Sequence, residues 1–186
     1  MSRYRPDGWT EEYLPAEARR EVLRDYGEEW HLDVLIETGT HTGDTPAALT
    51  DAFDRIYTIE IDLATHEAAC QRFAGTNVTC LLGDSTDVLP DVLDLLDDSP
   101  ALFWLDGHAS GGPRGAKDTP IVEELAAIFA TDVPHVVLVD DARLFGGMSG
   151  AGEWDWPHIN KIRVIAASAS YDFAVEDDII RLVPRS

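Results

Sequence analysis

Five short apolar runs recur along the chain, and acidic residues end them. Val34-Leu35-Ile36 runs into Glu37, and Arg55-Ile56-Tyr57-Thr58-Ile59 runs into Glu60, Ile61 and Asp62. Asn77-Val78-Thr79-Cys80-Leu81-Leu82 meets Asp84 one glycine later. Ala101-Leu102-Phe103-Trp104-Leu105 ends at Asp106, and His135-Val136-Val137-Leu138-Val139 at Asp140-Asp141. Runs of this length and β-branched content are strands, and the two apolar throughout are central parallel ones. Helical spacing fills the gaps: residues 15–27, 47–52, 64–73, 87–96, 118–129 and 158–167. Strand and helix alternating in this way predict a parallel sheet covered by helices on both faces. Two further strands, Tyr171–Val175 and Ile179–Val183, read as a closing hairpin joined through Glu176-Asp177-Asp178. The expected fold is therefore α/β, a doubly wound, mostly parallel seven-stranded sheet ending in an antiparallel hairpin. With 186 residues and no linker or repeat, the pattern predicts one domain over 1–186, with 1–30 as an N-terminal helical cap.

The first strand leads into the most informative stretch, Glu37-Thr38-Gly39-Thr40-His41-Thr42-Gly43-Asp44-Thr45-Pro46. Two glycines at a strand-to-helix turn let the backbone bend and approach a ligand where a Cβ would collide. A third glycine, which would complete a dinucleotide fingerprint, is missing, and the strand ends in a carboxylate that suits a cationic ligand better than a phosphate. Glu60 follows 23 residues after Glu37, at the tip of the next strand. An acid at that spacing is placed to accept hydrogen bonds from ribose hydroxyls. Asp62 reads as the cap of the helix behind it.

On these residues the sequence resembles the class I S-adenosylmethionine-dependent methyltransferases, whose first motif reads Glu-x-Gly-Thr-x-x-Gly-x-Thr in this chain. The resemblance implies S-adenosylmethionine as cofactor, bound by Glu37, Gly39, Thr40, Gly43, Thr45 and Glu60. In that family the turn after the third strand faces the adenine ring, which would give roles to Asp84 and Ser85. Asp84-Ser85 reads equally well as a helix cap. Asp106 is carried to the same strand edge and joins the cofactor set.

Charge narrows the partners. Lys and Arg number 14 against 35 Asp and Glu, a net charge of −21 with Lys117 and Lys161 the only lysines. A surface so acidic, with no basic patch, repels nucleic acid. It suits a halophilic source, where salt screens the self-repulsion, although a mesophilic acidic protein is the plainer alternative. No run is long enough to span a membrane, and Met1–Pro6 lacks the apolar core of a signal peptide, so a cytoplasmic protein is expected. Cys70 and Cys80 have no metal spacing; Cys80 reads as a buried strand residue and both as inert thiols.

The reaction implied by the resemblance is methyl transfer to a small-molecule hydroxyl, whose needs are alignment and removal of a proton. Asp106, Asp140 and Asp141 resemble the metal triad of catechol-type O-methyltransferases and imply Mg²⁺. Where that family has an amide, Asp141 adds charge, and the alternative is that the pair binds Arg143 or caps a turn. The family's lysine is Ala109 here, leaving His108 beside Asp106 as the candidate base. A glycine-rich stretch, 109–117, and the 144–159 connection with Trp154 and Trp156 read as substrate walls or ordinary loops, and Trp9 and Tyr13 as core caps or a lid. Two rival functions remain: an NAD(P)-dependent oxidoreductase, disfavoured by the missing glycine and the lack of a Tyr-x-x-x-Lys pair, and a non-catalytic nucleoside-binding protein.

Overall fold

The computed structural model describes residues 14–107, 119–145 and 156–185. Along the chain run α1 (Ala16–Trp30), β1 (Val34–Thr38), α2 (Asp44–Leu49), β2 (Arg55–Glu60), α3 (Leu63–Arg72), β3 (Val78–Leu82) and α4 (Ser85–Asp94). They are followed by β4 (Leu102–Leu105), α5 (Ile121–Ile128), β5 (Val136–Val139), a 3-10 turn Ala142–Phe145, α6 (Ile159–Ser168), β6 (Tyr171–Glu176) and β7 (Ile179–Pro184). The seven strands form one sheet in the order β3-β2-β1-β4-β5-β7-β6. β1 to β5 are parallel, and β7 is antiparallel to both β5 and β6. The alternation in sequence thus becomes the expected sheet, with its order reversing beside β1 and β4.

Side chains alternate faces along a strand, and the core divides accordingly. Leu35, Leu102, Trp104, Val136 and Leu138 pack against Leu23 of α1, Leu49 of α2 and Ala69 of α3. Ile36, Phe103, Leu105, Val137 and Val139 pack on the other face, against Leu89 of α4, Leu125 of α5 and Ile162 of α6. Central strands apolar on both faces are what this sandwiching requires. The closing hairpin turns on Asp177 and Asp178, both at positive φ (56° and 63°). That is the pairing which matches strand twist in a tight hairpin.

Two local expectations are corrected. Gly27 does not end α1, which continues to Trp30 and closes on His31 at φ 52°. The glycine serves packing: a Cβ there would lie 2.8 Å from the Phe53 ring. Cys80 is half-buried, because β3 is an edge strand with no neighbour on one side. Burial still pushes its thiol up to about 11. Exposed Cys70 has its sulfur 3.4 Å from His66 Nε2. No described helix is long and apolar enough to cross a membrane.

Candidate functional site

The C-terminal ends of β1, β2, β3 and β4 are tied to one another by backbone hydrogen bonds. Gly39 N–H donates to Ile59 O (2.9 Å), Gly83 N–H to Glu60 O (2.9 Å) and Asp106 N–H to Thr38 O (3.1 Å). Gly39 sits at φ +90°, and a Cβ on it would stand 2.6 Å from the carbonyl oxygen of Asp106. Gly43, at φ +74°, would place a Cβ 2.8 Å from the Phe73 ring. Both glycines are therefore demanded by the protein's own backbone path and packing. The tight approach foreseen toward a ligand is, at these two positions, an approach of one loop to another element.

Glu37 is 2% exposed and accepts a hydrogen bond from Thr58 Oγ1 at 2.6 Å. The Thr58 hydroxyl is in turn 2.6 Å from that of Thr40. Glu37, Thr58 and Thr40 thus form one buried polar chain under the glycine turn, and the Thr40 hydroxyl belongs to it. Burial pushes the Glu37 carboxyl up to about 8 against the pull of Thr58, and the charges of Asp106 and Glu60 push the same way. Three of the acids read from sequence therefore lie within each other's field.

Glu60 is fixed by the turns around it. Its Oε2 accepts from His41 N–H and its Oε1 from Asp62 N–H, both at 2.9 Å. A carboxylate offers about four acceptor positions, so each oxygen keeps capacity for a further hydroxyl. Asp62 caps α3 through Thr65 N–H at 2.8 Å, as expected. Asp84 caps α4: Oδ1 accepts from Thr86 N–H (3.0 Å) and the Thr86 hydroxyl (2.8 Å). The capping role open in the sequence is thus realised. Ser85 is buried in the first turn of α4, and Thr45 is half-buried in the first turn of α2.

Two of the three acids expected to hold Mg²⁺, Asp140 and Asp141, are committed to arginines. Asp140 Oδ2 is bonded by Arg19 Nη1, and Oδ1 accepts Asp141 N–H at 2.8 Å. Burial pushes the Asp140 carboxyl upward, as do the charges of Asp106 and Asp141, while Arg19 opposes them. Asp141 stands at φ 57° and takes Arg143 Nη1 on Oδ1 at 2.5 Å. The same guanidinium grips Asp178 Oδ2, and Arg143 N–H bonds Asp178 Oδ1 at 2.7 Å. Two guanidinium groups supply the counter-charge that a divalent ion would have supplied. Among the described residues no group of His, Cys, Asp and Glu is arranged to hold a metal. These residues do not fit Mg²⁺, and the Arg143 pairing weighed in the sequence is the one the structure adopts. Candidate base His108 lies outside the described residues, as do 109–118, most of the 144–159 connection including Trp154, and Trp9 and Tyr13.

Two residues were missed. Thr58 carries no motif, and only the sheet register beside β1 brings it to Glu37. Glu124 reads as an acid complementing the start of α5, yet it is 1% exposed. Its signal was present: it occupies the stripe Ile121, Glu124, Leu125, Ile128 that buries the helix.

No protein-family model and no curated protein matches the chain. Solved structures do. The S-adenosylmethionine complex of the O-methyltransferase TomG from Streptomyces achromogenes superposes with a TM-score of 0.66 at 21% identity, over 92% of this chain and 82% of that one. The Podospora anserina methyltransferase PaMTH1, bound to S-adenosylhomocysteine, gives 0.64 at 13% identity, covering 93% and 80%. The 23S rRNA methyltransferase ErmE gives 0.53 at 14% identity, covering 94% and 70%. Strand order, closing hairpin and these likenesses agree: the chain has the fold of the class I S-adenosylmethionine-dependent methyltransferases.

Proposed function

We propose that the chain binds S-adenosylmethionine across the C-terminal edge of its sheet and methylates the hydroxyl of a small molecule. The observation that carries this reading is the convergence of Glu37, Glu60 and Asp106 around the Gly39–Gly43 turn, in a fold shared with enzymes that use this cofactor. The glycine turn and the spare acceptor positions of Glu60 fit a cationic ligand bearing ribose hydroxyls. When bound, the cofactor supplies an electrophilic methyl group on a sulfonium sulfur. The protein's work is then alignment. Glu60, pre-set by His41 N–H and Asp62 N–H, receives the ribose, while Gly39, packed on the Asp106 backbone, fixes the turn beside which the methionyl part lies. The buried Glu37 chain stiffens the turn between them. A proton must leave the acceptor hydroxyl, and His108, two residues past Asp106, is the base assigned by sequence.

Asp140 and Asp141 serve in this reading as anchors for Arg19 and Arg143, not as metal ligands. The acidity of the chain supports a small-molecule acceptor over RNA, although ErmE shares the fold. It also supports a salt-rich cytoplasm as the working environment.

Calorimetric titration with S-adenosylmethionine, S-adenosylhomocysteine and NAD tests the reading, followed by transfer of labelled methyl to a panel of phenols and alcohols. Binding of the first two with methyl transfer is the expected result. Binding of NAD alone favours the oxidoreductase, and cofactor binding without turnover on any acceptor favours a nucleoside-binding protein. Chelation with EDTA should leave turnover unchanged; loss of activity restored by Mg²⁺ would return the metal role to Asp106, Asp140 and Asp141.

A further inference from the structure

Glu124 is an acid on a core-facing helical position, close to the tip of β1, the start of α4 and the turn after β4. A Cβ placed on Gly107 would lie 3.4 Å from Glu124 Oε1 and 3.0 Å from Thr38 Oγ1. The hydroxyls of Ser85 and Thr38 stand beside the carboxyl. Thr38 precedes the candidate cofactor residue Gly39, Gly107 follows Asp106, and Ser85 is itself a candidate beside Asp84. Glu124 is 1% exposed and Thr38 wholly buried, and Glu124 Oε1 and Thr38 Oγ1 both lack a hydrogen bond of good geometry. Sealing two polar atoms in this state is costly, so packing alone gives no reason for a carboxyl here. An apolar residue would fill the stripe of α5 more favourably.

We propose that Glu124 is a positioning residue: one buried carboxyl links the tip of β1, the start of α4 and the turn after β4, and its hydrogen bonding sets cofactor affinity. This rests on the methyltransferase reading above. The chemistry gives it two settings. Ionised, Glu124 can only accept, drawing the protons of the neighbouring hydroxyls inward; protonated, it can donate to one of them and free that hydroxyl's own proton. Burial pushes the carboxyl up to about 7 against the pull of Ser85 and Thr38, with the charges of Asp84 and Glu123 adding to the rise, so both settings are accessible near neutrality. Thr38 is sealed from solvent on the far side of the link, so a change there reports on the link without altering an exposed group.

The test is titration of the full chain with S-adenosylhomocysteine at pH 6, 7 and 8, with circular dichroism to confirm folding. Glu124→Leu, which keeps the size and removes the polar atoms, should weaken binding about ten-fold, the scale of losing a buried hydrogen bond. Glu124→Gln should recover most of that loss and remove one component of the pH dependence seen in the wild type. Should Glu124→Leu fail to fold, Thr38→Val takes its place and is expected to weaken binding in the same direction. Wild-type affinity in the folded Leu or Val variant, or equal losses in Gln and Leu, would overturn the proposal while leaving the methyltransferase reading standing. A wild-type chain that binds no S-adenosylhomocysteine would sink that reading and this inference with it.

Discussion

At the scale of single residues, the site stores its chemistry in buried acids. Burial pushes the Glu37 carboxyl up to about 8 in the folded chain, from the ordinary carboxylate value of about 4.3 in the unfolded one. Below the lower value both states hold the proton, and no stability is at stake. Between them the unfolded chain releases a proton that the folded chain keeps, so stability falls as pH rises through this window and levels off above it. Glu124, pushed up to about 7 by burial, acts in the same direction. Glu37→Gln should therefore raise stability at pH 8 by about 1–3 kcal/mol and change little near pH 4.5, read by urea denaturation at the two values. A gain of equal size at both would contradict the assignment. Glu60 makes the opposite contribution, to binding. Its carboxylate is already oriented by two backbone amides, and Glu60→Ala should weaken S-adenosylmethionine binding by about 1–3 kcal/mol. An unchanged dissociation constant in that variant would remove it from the ribose.

At the scale of elements, the glycine turn is specified by what lies behind it. Gly39→Ala forces a Cβ to within 2.6 Å of a backbone oxygen at positive φ, and neither can yield cheaply. The expected cost is about 2–4 kcal/mol of stability, seen as a lowered denaturation midpoint, since strain and overpacking add. A midpoint equal to the wild type's would mean that the turn can relax. The same dependence on neighbours explains what the sequence disclosed. Strand-forming runs and helical stripes are local patterns, and from them the seven strands, both covering layers and the hairpin at Asp177-Asp178 could be read. Capping by Asp62 is equally local, since its partner Thr65 is three residues away. Arg19 with Asp140, Arg143 with Asp178 and Thr58 with Glu37 are long-range pairs fixed only when the sheet forms. The acid pair shows the same division: Asp141 meets Arg143 two residues away, a pairing legible in the sequence, whereas Asp140 meets Arg19 from the far end of the chain. Gly27 misled because a glycine in a helix looks like a stop, and only Phe53 shows it to be a contact.

At the scale of the molecule, the charge of −21 acts on everything at once. Self-repulsion opposes folding at low salt and is screened as the Debye length shrinks from about 10 Å at 0.1 M to about 3 Å at 1 M. The melting temperature should climb as KCl is raised toward molar concentration; a flat response would favour an ordinary acidic protein over a salt-adapted one. In the proposed reading the same field, at a sheet edge carrying Glu60, Asp84 and Asp106, favours a cationic ligand over the pyrophosphate of a dinucleotide. The central claim is that this edge is an S-adenosylmethionine site. Its most direct test is calorimetric titration of the full chain, in molar KCl, with S-adenosylhomocysteine and with NAD, on the wild type and on Glu60→Ala. Saturable one-to-one binding of S-adenosylhomocysteine, weakened at least several-fold in the variant, and no binding of NAD are expected. No heat with S-adenosylhomocysteine at any attainable concentration, or binding of NAD in its place, would contradict the claim.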